Sequence, residues 1–213
     1  MDGRKGRKEG GVSMNSNLWP YRTPGIPDEF FARVESIPIT KEEVRVIVLS
    51  KARLREGYSV IDVGSGTGSI SIEAAMQVGS TGRVYAIDRD ADAIALLREN
   101  ASRFNIKNIE VIQGDAMDAL AAIPEVDVVF IGGAGGKMYD IVRLACTKLR
   151  SKGRIVIDTI MVESMNSALS AIYDLGLKDI DVTQVIIAKG KRISTGTMLL
   201  SRNPVLIISA ERV

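Results

Sequence analysis

The chain has 213 residues, 46% hydrophobic and 25% charged, which fits a water-soluble globular protein with one sizeable core. A single cysteine excludes internal disulfides, and the absence of histidine excludes Ser-His-Asp chemistry and histidine-held metals, so no metal site is expected. Lysine and arginine total 28 against 26 acids, but residues 1–13 hold four of those bases and two of the acids; the remaining 24 of each leave no general excess for nucleic acid.

Residues 1–17 are small, polar and charged, and read as a disordered tail; residues 18–213 read as a single domain. The basic start has no apolar segment after it, so it does not match a signal peptide. No uncharged run approaches the roughly 20 residues of a spanning helix. We therefore expect a cytoplasmic protein without membrane partners. Residues 18–40 form an arm in which Pro20, Pro24 and Pro27 disfavour helix, with Trp19 and Tyr21 beside them. Such an arm either packs on the domain or covers a ligand site. Thr40-Lys41-Glu42-Glu43 matches a capping box, with Thr40 the expected N-cap of a helix carrying Val44, Ile47, Val48, Ala52 and Leu54.

From Tyr58 onward strands and helices alternate. Strands are expected at 58–63, 83–88, 109–112, 126–131 and 153–159, with helices at 69–78, 90–104, 117–122, 137–149 and 162–175. Apolar strands joined by helices imply a parallel sheet covered on both faces. Residues 179–188 and 204–211 are β-rich, and the intervening 189–203 has no helical pattern, so those two strands are expected to pair antiparallel. Cys146 lies among Ile141, Val142, Ala145 and Leu149 and reads as a small core residue.

The centre of the chain is Val60-Ile61-Asp62-Val63-Gly64-Ser65-Gly66-Thr67-Gly68-Ser69, an apolar strand ending in three glycines at alternate positions, with a helix directly after. The glycines admit a ligand close to the backbone, where the helix N-terminus favours a negative group. Position 69 is serine, which departs from the dinucleotide fingerprint. The next strand ends in Asp88, 24 residues past Gly64, where nucleotide-binding α/β folds place the acid that holds ribose hydroxyls. Asp62 reads as a strand-end acid tying down the loop. Glu73 and Glu163 are general acid or base candidates by placement alone, so the catalytic group stays unassigned.

Asp62-x-Gly64-x-Gly66-x-Gly68, Asp88, Gly114-Asp115-Ala116 and the terminal β-rich pair resemble the class I S-adenosylmethionine-dependent methyltransferases. More narrowly, Gly25-Ile26-Pro27-Asp28-Glu29-x-Phe31, Ile39 to Arg45, Gly64 to Ala75, Phe130 to Gly136 and Asn203-Pro204-Val205 resemble the cobalt-precorrin-7 carbon-15 methyltransferases (decarboxylating) of cobalamin biosynthesis. The resemblance implies a Rossmann-like α/β fold with a mostly parallel seven-stranded sheet and a C-terminal antiparallel hairpin. It implies S-adenosyl-L-methionine as cofactor, held by Thr40, Gly64, Ser65, Gly66, Thr67, Gly68, Asp88, Asp115 and Ala116, and a homotetramer.

The precorrin substrate would lie on Gly132, Gly133, Gly135 and Gly136, whose exposed backbone suits a large flat ring. Lys189, Lys191, Arg192 and Arg202 would meet its carboxylates, with Lys191 and Arg192 foremost. Trp19, Phe30, Phe31, Val205 and Ile207 look exposed enough to mark subunit interfaces. A tRNA adenine methyltransferase, an isoaspartyl-protein methyltransferase and a non-catalytic nucleotide-binding module are the rival readings.

Overall fold

The computed structural model describes residues 18–213, so the expected disordered tail lies outside the described residues. In chain order the elements are α1 (Glu42–Ala52), β1 (Ser59–Val63), α2 (Ser69–Val78), β2 (Arg83–Asp88), α3 (Ala91–Arg103), β3 (Ile109–Gln113) and α4 (Ala116–Ala122). They continue with β4 (Val126–Ile131), α5 (Met138–Lys148), β5 (Leu149–Thr159), α6 (Val162–Asp174), β6 (Lys178–Val185), β7 (Ala188–Ile193), β8 (Gly196–Ser201) and β9 (Val205–Glu211). Seven strands form one sheet in the order β3-β2-β1-β4-β5-β9-β6. The first five are mutually parallel, and β9 runs antiparallel to both β5 and β6.

Alternation along each central strand explains why the sheet is covered twice. Ile61, Val63, Val129, Ile131, Ile155 and Ile157 point to one face, where α5 and α6 supply Ile141, Val142, Ala168 and Ile172. Val60, Val128, Phe130 and Val156 point to the other, against Val44 and Val48 of α1 and Ile70 and Ala74 of α2. Cys146 is buried in the first cluster, and desolvation pushes its thiol up to about 11. The chain winds outward from β1 to β3, then restarts on the far side of β1 with β4. Ligands of such sheets bind where that reversal opens a crevice, at the C-terminal ends of β1 and β4.

Four expectations change. Residues 189–203 are not a bare connector: β7 and β8 form a separate antiparallel hairpin, Ala188 pairing with Ser201 and Ile193 with Gly196. Its residues are almost all exposed, so no burial alternation marked it in the sequence. Strand β5 begins at Leu149, directly after α5 and four residues before the expected start.

Thr40 is not the N-cap of α1. Lys41 holds that position without a side-chain cap, and the Glu42 amide donates instead to Asp28 Oδ1 at 2.9 Å. The capping acid thus comes from the arm, where Asp28–Phe30 make one 3-10 turn.

The arm packs on the body rather than standing off it. Ile26, Phe31 and Ile39 bury against Ile72 of α2 and Phe104. Of the apolar residues expected to be exposed, Phe31 and Ile207 are buried; Trp19, Phe30 and Val205 are half-buried. The large exposed apolar side chains near the C-terminus are instead Ile186, Ile193, Met198, Leu199 and Leu200, on or beside the hairpin.

Candidate active site

The turn from β1 into α2 is built on glycines in the left-handed region, Gly64, Gly66 and Gly68 at φ 74°, 53° and 79°. The amides of Gly64 and Ser65 both donate to the Ile87 carbonyl of β2, at 2.9 and 3.0 Å. A Cβ on Gly66 would stand 3.2 Å from the Pro38 carbonyl oxygen, so the end of the arm walls the turn from above. Thr40 lies just beyond it, half-buried, its carbonyl accepting from Arg45.

Asp88 closes the other side. Its Oδ2 accepts from the Gly66 amide at 2.8 Å and its Oδ1 from the Asp90 amide at 3.0 Å. Each carboxylate oxygen keeps acceptor capacity beyond one bond. The Gly114 amide donates to the Asp88 carbonyl at 2.9 Å, which brings the turn after β3 into the same crevice. There Asp115 caps α4 through the Met117 amide at 2.9 Å and binds Lys137 Nζ at 3.1 Å; these two bonds hold its carboxyl below the usual range. Ala116 begins α4 beside it.

Two hydroxyls of the glycine turn, Ser65 Oγ and Thr67 Oγ1, are buried without a hydrogen-bond partner. Buried polar atoms are rarely left so, and these two stand in one turn. The structure therefore brings Gly64 to Gly68, Asp88, Asp115 and Ala116 to one crevice, with Thr40 at its arm side.

The second glycine loop follows β4. Gly132, Gly133, Gly135 and Gly136 are exposed, and Gly135 and Gly136 have φ 51° and 86°. Arg89 lies under this loop, its Nη1 3.4 Å from where a Gly135 Cβ would be. Lys191 and Arg192 are exposed on β7, in the separate hairpin. Lys189 and Arg202 are engaged: Lys189 pairs with Glu42 and Glu43 at 3.2 and 3.0 Å, and Arg202 lies 3.6 Å from Glu43 and 3.8 Å from Asp28.

Glu73 is not available as an acid or base. It is buried in α2, its two oxygens accepting from the Gly25 amide at 2.7 Å, the Ile26 amide at 3.1 Å and Arg45 Nε at 2.9 Å. Arg45, fully buried, also reaches Asp28 at 3.0 Å and the carbonyls of Ile26 and Thr40. Asn100 was missed by sequence reading. Its side chain joins Ala32 of the arm to the Thr67 carbonyl of the glycine turn, at 2.7 to 3.0 Å. Asp158 was missed as well; it ends β5 beside Gly132, and the repeat of an acid near the end of an apolar strand, as at Asp62, was its signal.

The sheet order, the glycine turn after β1 and the acid closing β2 define a Rossmann-like methyltransferase fold. A model of the precorrin methyltransferase domain matches residues 31–212, and the chain belongs to that family. It is 49% identical over 192 residues to a Sulfurisphaera tokodaii protein named "Probable cobalt-precorrin-6B C(15)-methyltransferase (decarboxylating)", covering 90% of this chain and 99% of that one. A crystal structure of precorrin-6y C5,15-methyltransferase from Geobacter metallireducens superposes with TM-score 0.84 at 34% identity, covering 90% of this chain and all of the other. A second, titled precorrin 8w decarboxylase, from Methanobacterium thermoautotrophicum, gives TM-score 0.82 at 37% identity over 87% of this chain and 98% of its own.

Proposed function

We propose that the protein is an S-adenosylmethionine-dependent methyltransferase that methylates carbon 15 of a cobalt-precorrin and removes an acetate carboxyl, in cobalamin biosynthesis. The relatives' names give the substrate as cobalt-precorrin-6B, where the motif resemblance carried the name cobalt-precorrin-7. Family membership supports the reaction class. The observation that carries the cofactor is the glycine turn, with two unpartnered buried hydroxyls in it and its Gly66 amide bonded to Asp88.

The residues present fit that cofactor. A Cβ at Gly64, Gly66 or Gly68 would meet Gly133, the Pro38 carbonyl or Leu97 at 3.2 Å or less, so only glycines build this turn, and their amides carry no side chain in front of a ligand. The turn and the start of α2 would hold the methionyl carboxylate, with Ser65 and Thr67 donating. Asp88 would accept from the ribose hydroxyls, Asp115 and Ala116 would face adenine, and Thr40 would close the arm side. S-adenosylmethionine supplies a methyl group already bonded to a positively charged leaving group. This chain's contribution is to exclude water with the arm and hold the accepting carbon in line.

Gly132, Gly133, Gly135 and Gly136 form the floor for the macrocycle, and Lys191 and Arg192, free of ion pairs among the described residues, are its carboxylate contacts. We further propose that residues 18–213 act as one domain and that the chain assembles as a homotetramer through the apolar hairpin surface. Incubation with methyl-labelled S-adenosylmethionine and cobalt-precorrin-6B should put label on the tetrapyrrole and release carbon dioxide. Label transferred to tRNA, and none to tetrapyrrole, would overturn the reading.

A further inference from the structure

Asp158 is the penultimate residue of β5, where the sheet meets the glycine loop. A Cβ on Gly132 would lie 3.5 Å from Asp158 Oδ1. The residue is 8% exposed, and Oδ1 is buried with no hydrogen-bond partner. Just past it, Ile160, Met161 and Val162 are three successive exposed apolar side chains, an apolar ledge at the same end of the sheet. A buried carboxyl oxygen without a partner, between an open glycine floor and an apolar ledge, is a group awaiting a ligand atom.

We infer that Asp158 is a substrate contact, its carboxyl donating a hydrogen bond to a side-chain carboxylate of the tetrapyrrole laid across Gly132. This rests on the proposed function for the identity of the ligand. A carboxyl donates only while it holds its proton, and its surroundings keep the proton on. Burial first, and the charge of Asp62 second, raise Asp158 to about 7. Asp62 on β1 is the charged group that acts on it; β4 continues beside it as Phe130, Ile131 and Gly132, and β9 places Ile207 opposite it in register, all without charge. Asp62 cannot take the same role, because its own carboxylate accepts from Ser71 Oγ of α2. Above the titration the two acids would be anions together, and an incoming carboxylate would meet repulsion where it had met a donor.

Three variants and three readouts test this on the full chain. Asp158→Ala should raise the tetrapyrrole KM by about tenfold to a hundredfold, the loss expected for a hydrogen bond to a charged group. Its S-adenosylmethionine affinity by calorimetry should stay within about twofold, less than the loss of any such bond. The wild-type KM should rise as pH passes about 7. Asp158→Asn keeps a donor and cannot ionise, so its KM should stay near the acid-side value and flat with pH. Asp158→Val separates loss of the donor from loss of volume, and should resemble the alanine variant.

Infrared difference spectra of wild type against Asp158→Asn, taken below the titration, should show a protonated carboxyl band, whatever the substrate is. An alanine variant with wild-type KM, an asparagine variant that keeps the alkaline rise, or no such band would each overturn the inference. A wild-type enzyme that turns over no tetrapyrrole while the band is present would refute the proposed function instead, and with it the identity of the ligand at Asp158.

Discussion

Gly64 and Gly133 touch backbone to backbone: a Cβ on Gly64 would stand 2.7 Å from the Gly133 amide nitrogen and 2.8 Å from its Cα. The two loops that face the crevice are therefore set against each other with no room for a side chain on Gly64. Gly64 also holds φ 74°. Gly64→Ala should cost about 2–4 kcal/mol of stability, from strain and backbone displacement together, and abolish the calorimetric signal for S-adenosylmethionine. Gly133→Ala is the control. Its Cβ would meet the Gly64 Cα at 3.7 Å, an ordinary contact, so thermal unfolding should stay within about 1 kcal/mol of wild type.

Asp88 organises the turn through Gly66 before any ligand arrives. Asp88→Ala should weaken S-adenosylmethionine binding by about 2–3 kcal/mol, the scale for hydrogen bonds to a charged group. Titration calorimetry checks this, and an unchanged affinity would remove Asp88 from the site.

Arg45 is fully buried between Asp28 and Glu73. Arg45→Met leaves two buried carboxylates facing each other without their cation. We expect a loss of about 3–5 kcal/mol, which for a chain of this size lowers Tm by roughly 6–20 °C. Differential scanning calorimetry measures it directly. A drop under about 1 kcal/mol would mean the network adds nothing net.

Asp62 and Asp158 are both raised, to about 6 and about 7, by desolvation first; Ser71 lowers Asp62 in part. Raised acids bind more protons folded than unfolded, so their contribution falls as pH climbs from about 4 through those values. Asp158→Asn should accordingly gain stability over wild type at pH 8, by about 1–3 kcal/mol, and lose that advantage near pH 4. Chemical denaturation at the two pH values decides it.

Leu199 is the most exposed large apolar residue on β7 and β8 themselves, at 69%. Leu199→Lys should lower the mass seen by light scattering without altering the far-ultraviolet spectrum, because a buried charge at an interface costs several kcal/mol. A wild-type monomer at micromolar concentration would reject the tetramer.

The parallel part of the fold was legible because its central strands are buried on both faces and its turns are punctuated by glycine. Val126 to Ile131 and Val60 to Val63 permit no other reading. The β7–β8 hairpin was not, since Lys189, Lys191 and Arg192 against Leu200, Met198 and Thr197 show no face to bury. The crevice was legible where backbone geometry demands a residue type, at Gly64 to Gly68, and where a strand ends in an acid, at Asp88. It failed where partners lie far apart in sequence. Thr40 looked like a cap because the true one, Asp28, is 14 residues before the amide it serves. Glu73 looked like a reactive acid because nothing local shows that Arg45 and the amides of Gly25 and Ile26 enclose it.

That enclosure has a consequence for how the chain comes off the ribosome. Arg45 is synthesised 28 residues before Glu73, and Ala32 is made 68 before Asn100. Until α2 has emerged, the guanidinium has Asp28 and the carbonyls of Ile26 and Thr40 but not its second carboxylate, and burying it so would cost more than it returns. The arm and α1 must therefore wait, solvated, for α2 and then α3. The first part of the described chain to be made is fastened late, and the wall beside Gly66 is completed only after the turn it covers already exists.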